Sequence, residues 1–368
     1  MHVFVAGGAG YIGSVLVPHL LEGGHRVTVL DRLYFGDTLG AAQARFGEKL
    51  RIVRGDVRRF DRALLAGVDG VVDISGISND PSCELEPELT RSVNVDGARH
   101  LASAALEQGV RRYVFSSSCS VYGHGEGLGL TETSPRHPVS LYARAKAEVE
   151  DFLLGASAGA SAGAGASASA GASGGAGKGV AGTGMEVCAL RLATVFGLSP
   201  RMRFDLAINV MTKNAYVGRR ITVDGGGRQW RPFVHVRDVA RAFELGLTSD
   251  ASKVAGQVFN VGSDASNVQI LNLAFRVRDA VPGTEVVHAP TDPDLRDYNV
   301  SFEKMHRVLP FQAGHGVDDG IREVLAALRE GGVDPDDRRW YTLRQYVFLR
   351  DAERAHRELA IDGALLTA

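Results

Sequence analysis

Three features are scarce in this 368-residue chain, and each scarcity excludes a class of protein. Its three cysteines, Cys83, Cys119 and Cys188, lie far apart with no C-x-x-C pair, so neither a zinc site nor a disulfide framework is indicated. No stretch approaches the roughly 18 consecutive apolar residues that a membrane-spanning helix requires. The formal net charge is only −2, which gives no electrostatic reason to expect binding to nucleic acid or to a membrane.

The N-terminus carries no basic region followed by an apolar stretch and a cleavage site, so no secretion signal is predicted. With few cysteines and no metal-ligand spacing, we expect a cytoplasmic protein without a bound metal. The length of 368 residues predicts about two domains.

Short apolar runs alternate with helical patterns over the first 120 residues, which is typical of βαβ units in a parallel sheet. The predicted strands are His2–Ala6, Arg26–Asp31, Arg51–Gly55, Gly70–Ile74, Arg112–Ser116, Glu186–Leu192, Arg219–Asp224 and Val258–Gly262. The predicted helices are Tyr11–Glu22, Ser92–Gln108, Tyr142–Leu154, Val236–Leu247 and a helical region around Arg338–Leu359. This order predicts an α/β fold, a doubly wound parallel sheet of the Rossmann type with a smaller mixed C-terminal domain.

The domain boundaries follow from this pattern. We predict a dinucleotide-binding domain over residues 1–193, a substrate-binding domain over 194–340 and a C-terminal helical extension over 341–368, with residues 231–262 returning to the first domain. Residues 155–184 are almost entirely Gly, Ala and Ser. Such a composition offers too little apolar surface to offset the entropy of ordering, so we expect a disordered surface insertion that contributes nothing to the core.

A glycine-rich turn follows the first predicted strand. Gly8, Gly10 and Gly13 have G-x-G-x-x-G spacing, and Gly7 begins an overlapping frame. Early glycines allow a tight turn and let backbone N–H groups approach a diphosphate, while the last one lets the helix pack closely on the strand. An ordinary strand-to-helix turn is the alternative, but the flanking strand and helix favour a dinucleotide site.

Asp31 ends the second predicted strand, 18 residues after Gly13, near the spacing of a carboxylate that binds a ribose 2′-hydroxyl. A carboxylate there repels a 2′-phosphate, so NAD is favoured over NADP, although the adjacent Arg32 could reach a phosphate. Asp56 and Val57, which close the third predicted strand, are candidates to cap the adenine, and a simple turn is the alternative for Asp56.

Tyr142 and Lys146 are spaced i and i+4, so they share one face of a predicted helix. A cation beside a phenol lowers the pKa of the tyrosine from about 10 toward neutral pH and makes it a usable general base. Ser118 follows the fifth predicted strand, where its hydroxyl could orient a substrate oxygen. In the alternative interpretation Tyr142 packs on the sheet and Lys146 is solvated, but the upstream turn favours catalysis.

Taken together, these segments resemble extended short-chain dehydrogenases/reductases of the nucleotide-sugar epimerase/dehydratase type. The matching segments are GGAGYIG at 7–13, NVDG at 94–97, SSSCSVYG at 116–123, YARAK at 142–146, RPFVHVRDV at 231–239 and FNVG at 259–262. The resemblance implies NAD in the N-terminal domain and an NDP-sugar substrate in the C-terminal one. It also implies a homodimer formed through the helices that contain Asn94 and Tyr142.

The motifs and the resemblance together give three groups of candidate site residues. Catalytic candidates are Ser118, Tyr142 and Lys146. Cofactor-binding candidates are Gly7, Gly10, Tyr11, Ile12, Gly13, Asp31, Asp56, Val57, Asn94, Tyr142 and Lys146. Substrate-binding candidates are Ser118, Thr194, Arg231 and Arg296.

The arginines resemble family arginines that bind the substrate diphosphate, because a guanidinium fork suits two oxygens at once. Surface salt bridges are the alternative for Arg231 and Arg296. Arg201 and Arg203 are weaker diphosphate candidates. His235 and Cys119 are predicted to be core residues rather than a ligand and a nucleophile.

The resemblance also guides the choice of reaction. Family 4,6-dehydratases usually carry Asp-Glu directly after the active-site hydroxyl residue, whereas this chain has Cys119 and Ser120, so sugar dehydration is disfavoured. The resemblance implies a C4 epimerase in which Tyr142 takes the 4-hydroxyl proton while hydride passes to NAD. The 4-keto sugar then rotates in the site, and the hydride returns to its other face. Lys146 would hold the ribose hydroxyls. An NDP-sugar 4-ketoreductase and a UDP-glucuronate decarboxylase are the enzymatic alternatives, and a dinucleotide-sensing regulator is the alternative from another class.

Overall fold

The computed structural model describes residues 1–124, 127–155, 180, 183–290 and 296–360. The strands are β1 (His2–Ala6), β2 (Arg26–Asp31), β3 (Leu50–Arg54), β4 (Gly70–Asp73), β5 (Arg112–Ser118), β6 (Glu186–Leu192), β7 (Thr194–Phe196), β8 (Arg220–Asp224), β9 (Trp230–His235), β10 (Gln257–Val261), β11 (Asn267–Gln269) and β12 (Glu285–Ala289). The α-helices are α1 (Gly13–Glu22), α2 (Gly40–Phe46), α3 (Asp80–Leu85), α4 (Pro87–Arg91), α5 (Ala98–Glu107), α6 (Leu141–Leu154), α7 (Ala207–Gly218), α8 (Val236–Thr248), α9 (Ala251–Val254), α10 (Ile270–Ala280), α11 (Glu303–Val308), α12 (Val317–Arg329) and α13 (Thr342–Leu359).

Seven parallel strands form the main sheet in the order β10-β6-β5-β4-β1-β2-β3. Alternate residues of β1 face two different cores, because successive side chains of a strand point to opposite faces. Val3 and Val5 pack with α1 and α8 on one face, and Phe4 and Ala6 pack with α5 and α6 on the other. The predicted doubly wound parallel sheet is therefore confirmed.

The second part of the protein contains two small sheets. One has the order β11-β9-β7 and the other pairs β12 with β8. Phe196, Ile208 and Phe233 belong to a third apolar core beneath these strands. The chain leaves the main sheet after β6 and returns to it with β10, which pairs with β6. The carboxyl ends of the parallel strands face this second part, which is where ligands bind in doubly wound folds.

Two expectations from the sequence need correction. The region predicted as one helix over Ser92–Gln108 begins with a π-helical turn, Ser92–Gly97, and becomes α-helical only in α5. Val180, placed in the predicted insertion, is only 2 % exposed and packs in the core beside β5 and β6, so that end of the segment does contribute to the core. Residues 156–179, 181 and 182 of the predicted insertion lie outside the described residues.

The described part of the chain contains no helix long and apolar enough to cross a lipid bilayer.

Candidate active site

The glycine-rich turn between β1 and α1 leaves no room for side chains. Gly7 has a positive φ of 82°, which glycine adopts without strain. A Cβ on Gly13 would lie 2.4 Å from the carbonyl oxygen of Gly8, and a Cβ on Gly8 would lie 2.8 Å from the side chain of Val29. The turn therefore brings bare backbone to the start of α1, where an anion is favoured. This cradle fits the diphosphate of a dinucleotide.

Tyr11 and Ile12 have different environments within this turn. The Tyr11 hydroxyl donates to the carbonyl oxygen of Gly197 at 2.6 Å and accepts from Asn209 at 3.1 Å, and burial raises the pKa of this phenol. The Tyr11 side chain therefore connects the glycine-rich turn of the main sheet to the second part of the protein. Ile12 precedes α1 and is partly buried against the core. The cofactor contact predicted for both residues stays a prediction.

Asp31 is placed where the sequence predicts it, at the carboxyl end of β2. Its Oδ2 accepts from the Ala9 amide at 3.0 Å and its Oδ1 accepts from the Leu33 amide at 2.8 Å. The carboxylate therefore connects the glycine-rich turn to the loop after β2. Burial raises the pKa of Asp31, and these amides partly oppose the shift.

Arg32 and Asp56 form an ion pair beside Asp31. Arg32 donates to Asp56 Oδ2 at 3.0 Å, and Arg58 donates to the same oxygen at 2.7 Å. These arginines hold the pKa of Asp56 down at about 2, against the opposing effect of burial. Arg32, considered as a possible phosphate ligand, is thus engaged by a carboxylate. Val57 is 8 % exposed, and its carbonyl oxygen lies 3.2 Å from His100 Nδ1.

Asn94 lies in the π-helical turn and binds the backbone of the loop after β4. Its Oδ1 accepts from the Ile77 amide at 2.7 Å, and its Nδ2 donates to the Ile77 carbonyl at 2.8 Å. Both ends of the amide group are therefore engaged by one residue of the protein. The direct cofactor contact expected of Asn94 stays a prediction, whereas its ordering of this loop is a structural observation.

The three catalytic candidates meet at the carboxyl end of β5. Tyr142 lies in the first turn of α6, which Ser140 caps by accepting from the Ala143 amide at 3.2 Å. The Ser118 side chain lies close enough to the phenol to lower its pKa. The Ser118 hydroxyl also accepts from the Ser120 amide at 3.1 Å. The catalytic roles of Ser118 and Tyr142 stay predictions.

The protonation of Tyr142 differs from the expectation. Burial raises its pKa above the usual value, with a smaller contribution from Cys83, while Arg203 and Ser118 oppose the increase. The prediction that a neighbouring cation dominates and lowers this pKa is wrong for the protein alone, because desolvation disfavours the phenolate.

Lys146 is 6 % exposed, and its Nζ donates to the carbonyl oxygen of Ser116 at 2.6 Å. The ammonium lies 5.8 Å from the centroid of the Tyr142 ring. Burial lowers the pKa of Lys146, and Asp73 opposes this shift. The alternative in which Lys146 is solvated is therefore wrong.

Glu150 is a buried partner of this site that the sequence reasoning missed. It lies one turn after Lys146 on α6, is 1 % exposed, and accepts from Arg191 at 2.8 Å and from the Ser117 hydroxyl. A buried carboxylate needs such partners, because leaving it unpaired is costly. Its i+4 spacing from Lys146 was the available signal.

The substrate-binding candidates occupy separate positions around the cleft. Arg231 is only 5 % exposed, donates to the Trp230 carbonyl at 2.8 Å and lies 5.5 Å from the centroid of the Tyr298 ring, so it is a buried residue rather than a surface one. Arg296 does form an ion pair, with Asp80 at 2.8 Å. Thr194 opens β7, paired with Phe233 of β9.

Arg203 and Arg201 have contrasting partners. Arg203 forms a forked bond to Asp205, at 2.9 and 2.8 Å, and Asn79 binds the same carboxylate. Arg201 is 2 % exposed, and within the described chain its Nε has no hydrogen-bond partner. Its backbone amide lies 3.4 Å from the Ser14 hydroxyl, in the first turn of α1. Burial lowers the pKa of Arg201 to about 9, with Arg203 adding to the decrease. The orphaned Nε and the glycine cradle together fit an anionic dinucleotide.

Cys119 and His235 are core residues, as predicted. Cys119 is 1 % exposed and donates its thiol to the Arg191 carbonyl at 3.2 Å, and burial raises the pKa of the thiol. His235 is fully buried, lies 2.6 Å from Glu323 and stacks on His315 with 4.4 Å between ring centroids. Neither side chain is available to a substrate.

Known proteins are similar to this chain over most of its length. The model of the NAD dependent epimerase/dehydratase family matches residues 3–262. A dTDP-glucose 4,6-dehydratase of Streptomyces griseus is 30% identical over 334 residues, which cover 88% of this chain and 93% of that protein. A UDP-glucose 4-epimerase of Lacticaseibacillus casei is 28% identical over 347 residues, which cover 88% of this chain and 95% of that protein.

A solved structure of a nucleotide-sugar enzyme has a similar fold. The crystal structure of DesIV, a dTDP-glucose 4,6-dehydratase from Streptomyces venezuelae with NAD bound, covers 90% of this chain and 98% of that one, with a TM-score of 0.73 and 26% identity. The relatives thus include both dehydratases and epimerases, and the similarity alone does not separate the two activities.

Proposed function

The chain belongs to the NAD dependent epimerase/dehydratase family, and we propose that within it the protein is a C4 epimerase of nucleoside diphosphate sugars that acts through a 4-keto intermediate. The observation that carries the proposal is the position of Tyr142 near Ser118 and 5.8 Å, from ring centroid to ammonium, from the buried Lys146, with no carboxylate at positions 119 and 120.

NAD is the cofactor of this family, and the residues present fit it. The backbone of Gly7, Gly10 and Gly13 would lie against its diphosphate, and the Asp31 carboxylate would accept from a ribose hydroxyl. When bound, NAD accepts a hydride from the sugar carbon and returns it.

Tyr142 is the proposed general base, and it accepts the proton of the sugar 4-hydroxyl. Ser118 orients the sugar oxygen toward the phenol. Because burial raises the pKa of Tyr142, proton transfer needs a positive charge close to the phenol. Lys146 supplies it if its ammonium turns from the Ser116 carbonyl, to which it now donates, toward Tyr142.

Dehydration needs an acid and a base beside the 4-keto sugar, and the residues after Ser118 do not supply them. The Cys119 thiol is buried with a raised pKa and is bonded to the Arg191 carbonyl. Ser120 carries a hydroxyl, whose pKa lies far above the working range of a general acid. This chemistry favours epimerisation over loss of water.

We also propose that the protein is a homodimer through the helices that contain Asn94 and Tyr142. Glu148 of α6 binds Arg91 and Arg99, both at 3.0 Å, so α6 and the region around α5 form one continuous surface. Light scattering on the purified protein would give twice the mass of the chain, and a monomeric mass would contradict the proposal.

The experiment for the reaction is product analysis with UDP-glucose, UDP-glucuronate, dTDP-glucose and GDP-mannose, each supplied to the protein with NAD. Epimerisation gives the C4 epimer of one of these sugars with no net change in nicotinamide absorbance. A 4-keto-6-deoxy product identifies a dehydratase, release of carbon dioxide identifies a decarboxylase, and stoichiometric formation of NADH together with a 4-keto sugar, which is the reverse of ketoreduction, identifies a ketoreductase. Tight NAD binding with no turnover of any sugar would instead support a regulator.

A further inference from the structure

The C-terminal helix α13 is attached to the protein by its first turns. Thr342 is 1 % exposed and Gln345 is 4 % exposed, whereas Phe348 is 43 % exposed and Leu359 is 68 % exposed. The later turns carry charged side chains that pair with one another, such as Arg354 with Glu358. An amphipathic helix that packed along its length would bury a continuous stripe, so α13 is held at one end only.

The attachment joins α13 to both sides of the cofactor cleft. Gln345 Nε2 donates to the carbonyl oxygen of Tyr34, in the loop after β2, at 2.7 Å. Arg201, from the segment after β7, donates to the Thr342 hydroxyl at 2.9 Å. These contacts link the dinucleotide-binding strands to the second part of the protein.

Tyr346 extends this bridge toward Asp31. Its ring lies edge-on to Tyr34, with centroids 6.2 Å apart, and to Phe35, with centroids 5.8 Å apart. Burial raises the pKa of the Tyr346 phenol. The positive charge of Arg201 opposes this increase, and the negative charge of Asp31 adds to it. The phenol is therefore within electrostatic range of both the Asp31 carboxylate and the Arg201 guanidinium.

Arg201 is the cation in this arrangement. Its guanidinium lies 3.8 Å from the centroid of the Phe35 ring, and the ion pairs within the described residues do not include it. A buried guanidinium without a carboxylate is unfavourable unless an anion completes its environment. The diphosphate of a dinucleotide on the neighbouring glycine-rich turn is such an anion.

We propose that α13 is a clasp that retains the bound dinucleotide, with Thr342 positioning Arg201 for the diphosphate and with Gln345 and Tyr346 holding the Tyr34–Phe35 loop over the adenosine half. The inference rests on NAD as the cofactor and is independent of which sugar reaction the protein performs. It predicts slow release of NAD.

The test measures release of NADH without any sugar. The full-length protein is loaded with NADH and diluted into excess NAD, and the loss of protein-bound NADH fluorescence gives the dissociation rate constant. Tyr346→Ala removes the ring from the cleft. Thr342→Val removes only the hydroxyl that binds Arg201, at nearly constant volume. Phe348→Ala is the matched control, because Phe348 lies on the same helix, is 43 % exposed and packs on Arg338, 3.4 Å from its guanidinium.

We expect Tyr346→Ala and Thr342→Val each to raise the dissociation rate constant at least tenfold, and Phe348→Ala to leave it within twofold. Thermal unfolding of the NAD-free proteins separates this effect from loss of folding, and Thr342→Val gives the answer if Tyr346→Ala does not fold. Equal rate constants for all proteins would overturn the proposal. Slower release from either cleft variant would also overturn it, since α13 would then be an element that obstructs the site.

Discussion

Lys146 donates its ammonium to the carbonyl oxygen of Ser116, two residues before Ser118 on the same strand, at 2.6 Å. The lysine therefore fixes the end of β5 as well as supplying a charge near Tyr142. A variant at this position changes both the chemistry and the support of the site, and the two effects can be measured separately.

Lys146→Met is expected to abolish most turnover, to weaken NAD binding and to lower stability by about 1–3 kcal/mol, because the buried Ser116 carbonyl loses its donor. Initial rates, NAD titration by fluorescence and urea unfolding measure the three quantities. Lys146→Arg keeps the charge and a donor, so it should recover the stability without full activity. Equal loss of stability in both variants would contradict the role given to the hydrogen bond.

Tyr142→Phe removes one oxygen and keeps the packing of the ring. General acid–base groups typically contribute about 10²–10⁴-fold in rate, so we expect a loss of that size in kcat with NAD still bound. Ser118→Ala should cost less, because another hydroxyl or a water can still orient the sugar. Undiminished turnover in Tyr142→Phe, measured with a sugar that the wild type converts, would contradict the proposed base.

Asp31→Asn keeps the shape of the side chain and removes its negative charge. We expect weaker NAD binding and a smaller preference for NAD over NADP, because the carboxylate in its proposed role would accept from the ribose and repel a 2′-phosphate. Arg32→Ala serves as the control, since Arg32 is paired with Asp56 and should not decide the preference. Dissociation constants for both dinucleotides test this, and a larger change in Arg32→Ala would reverse the assignment.

Arg231→Lys keeps a positive charge and loses the planar fork. Loss of one charge-assisted hydrogen bond, about 1.5 kcal/mol, should raise the KM for the NDP-sugar about tenfold with NAD affinity unchanged. Steady-state kinetics and NAD titration provide the comparison. Equal weakening of both ligands would indicate a folding defect instead.

Asp56→Asn should destabilise the protein at neutral pH, with an effect that disappears in acid. Arg58 and Arg32 lower the pKa of Asp56 to about 2 in the folded state. A carboxyl group whose pKa is lowered by folding stabilises the protein at pH values above its unfolded-state pKa of about 4. This stabilisation is lost as the pH falls toward 2. Urea midpoints of wild type and variant, compared from pH 7 down to the lowest pH at which both fold, should converge. A constant difference over that range would show that the charge of Asp56 is not responsible.

The strands of the main sheet were predictable because each is a local apolar run. The bounds of β1, β2 and β6 agree with the prediction, and β3 is displaced by one residue. The short strands β7 and β11 carry three residues each and have no comparable pattern. The π-helical turn at Ser92–Gly97 was missed because it depends on the fit of that segment to its neighbours rather than on local composition.

The spacing of the catalytic candidates could be predicted from the sequence, but their pKa shifts could not. Tyr142 and Lys146 share a helix face, and i and i+4 spacing is visible in the sequence. The raised pKa of Tyr142 depends on burial, which no spacing reports. The contact between Gln345 and Tyr34 joins residues 311 positions apart, so no local pattern could place α13 across the cleft.

The position of β10 in the main sheet has a consequence for synthesis of the protein. Every residue of β6 after Glu186 is buried, yet its outer edge is covered only when β10 pairs with it, after residues 193–256 have been made. At about 5–20 residues per second, a ribosome needs roughly 3–13 s for that interval. During it, the nascent chain presents an apolar strand edge that can pair with another chain. We therefore expect yield in the cell to depend on translation speed between β6 and β10 and on chaperones that shield this edge.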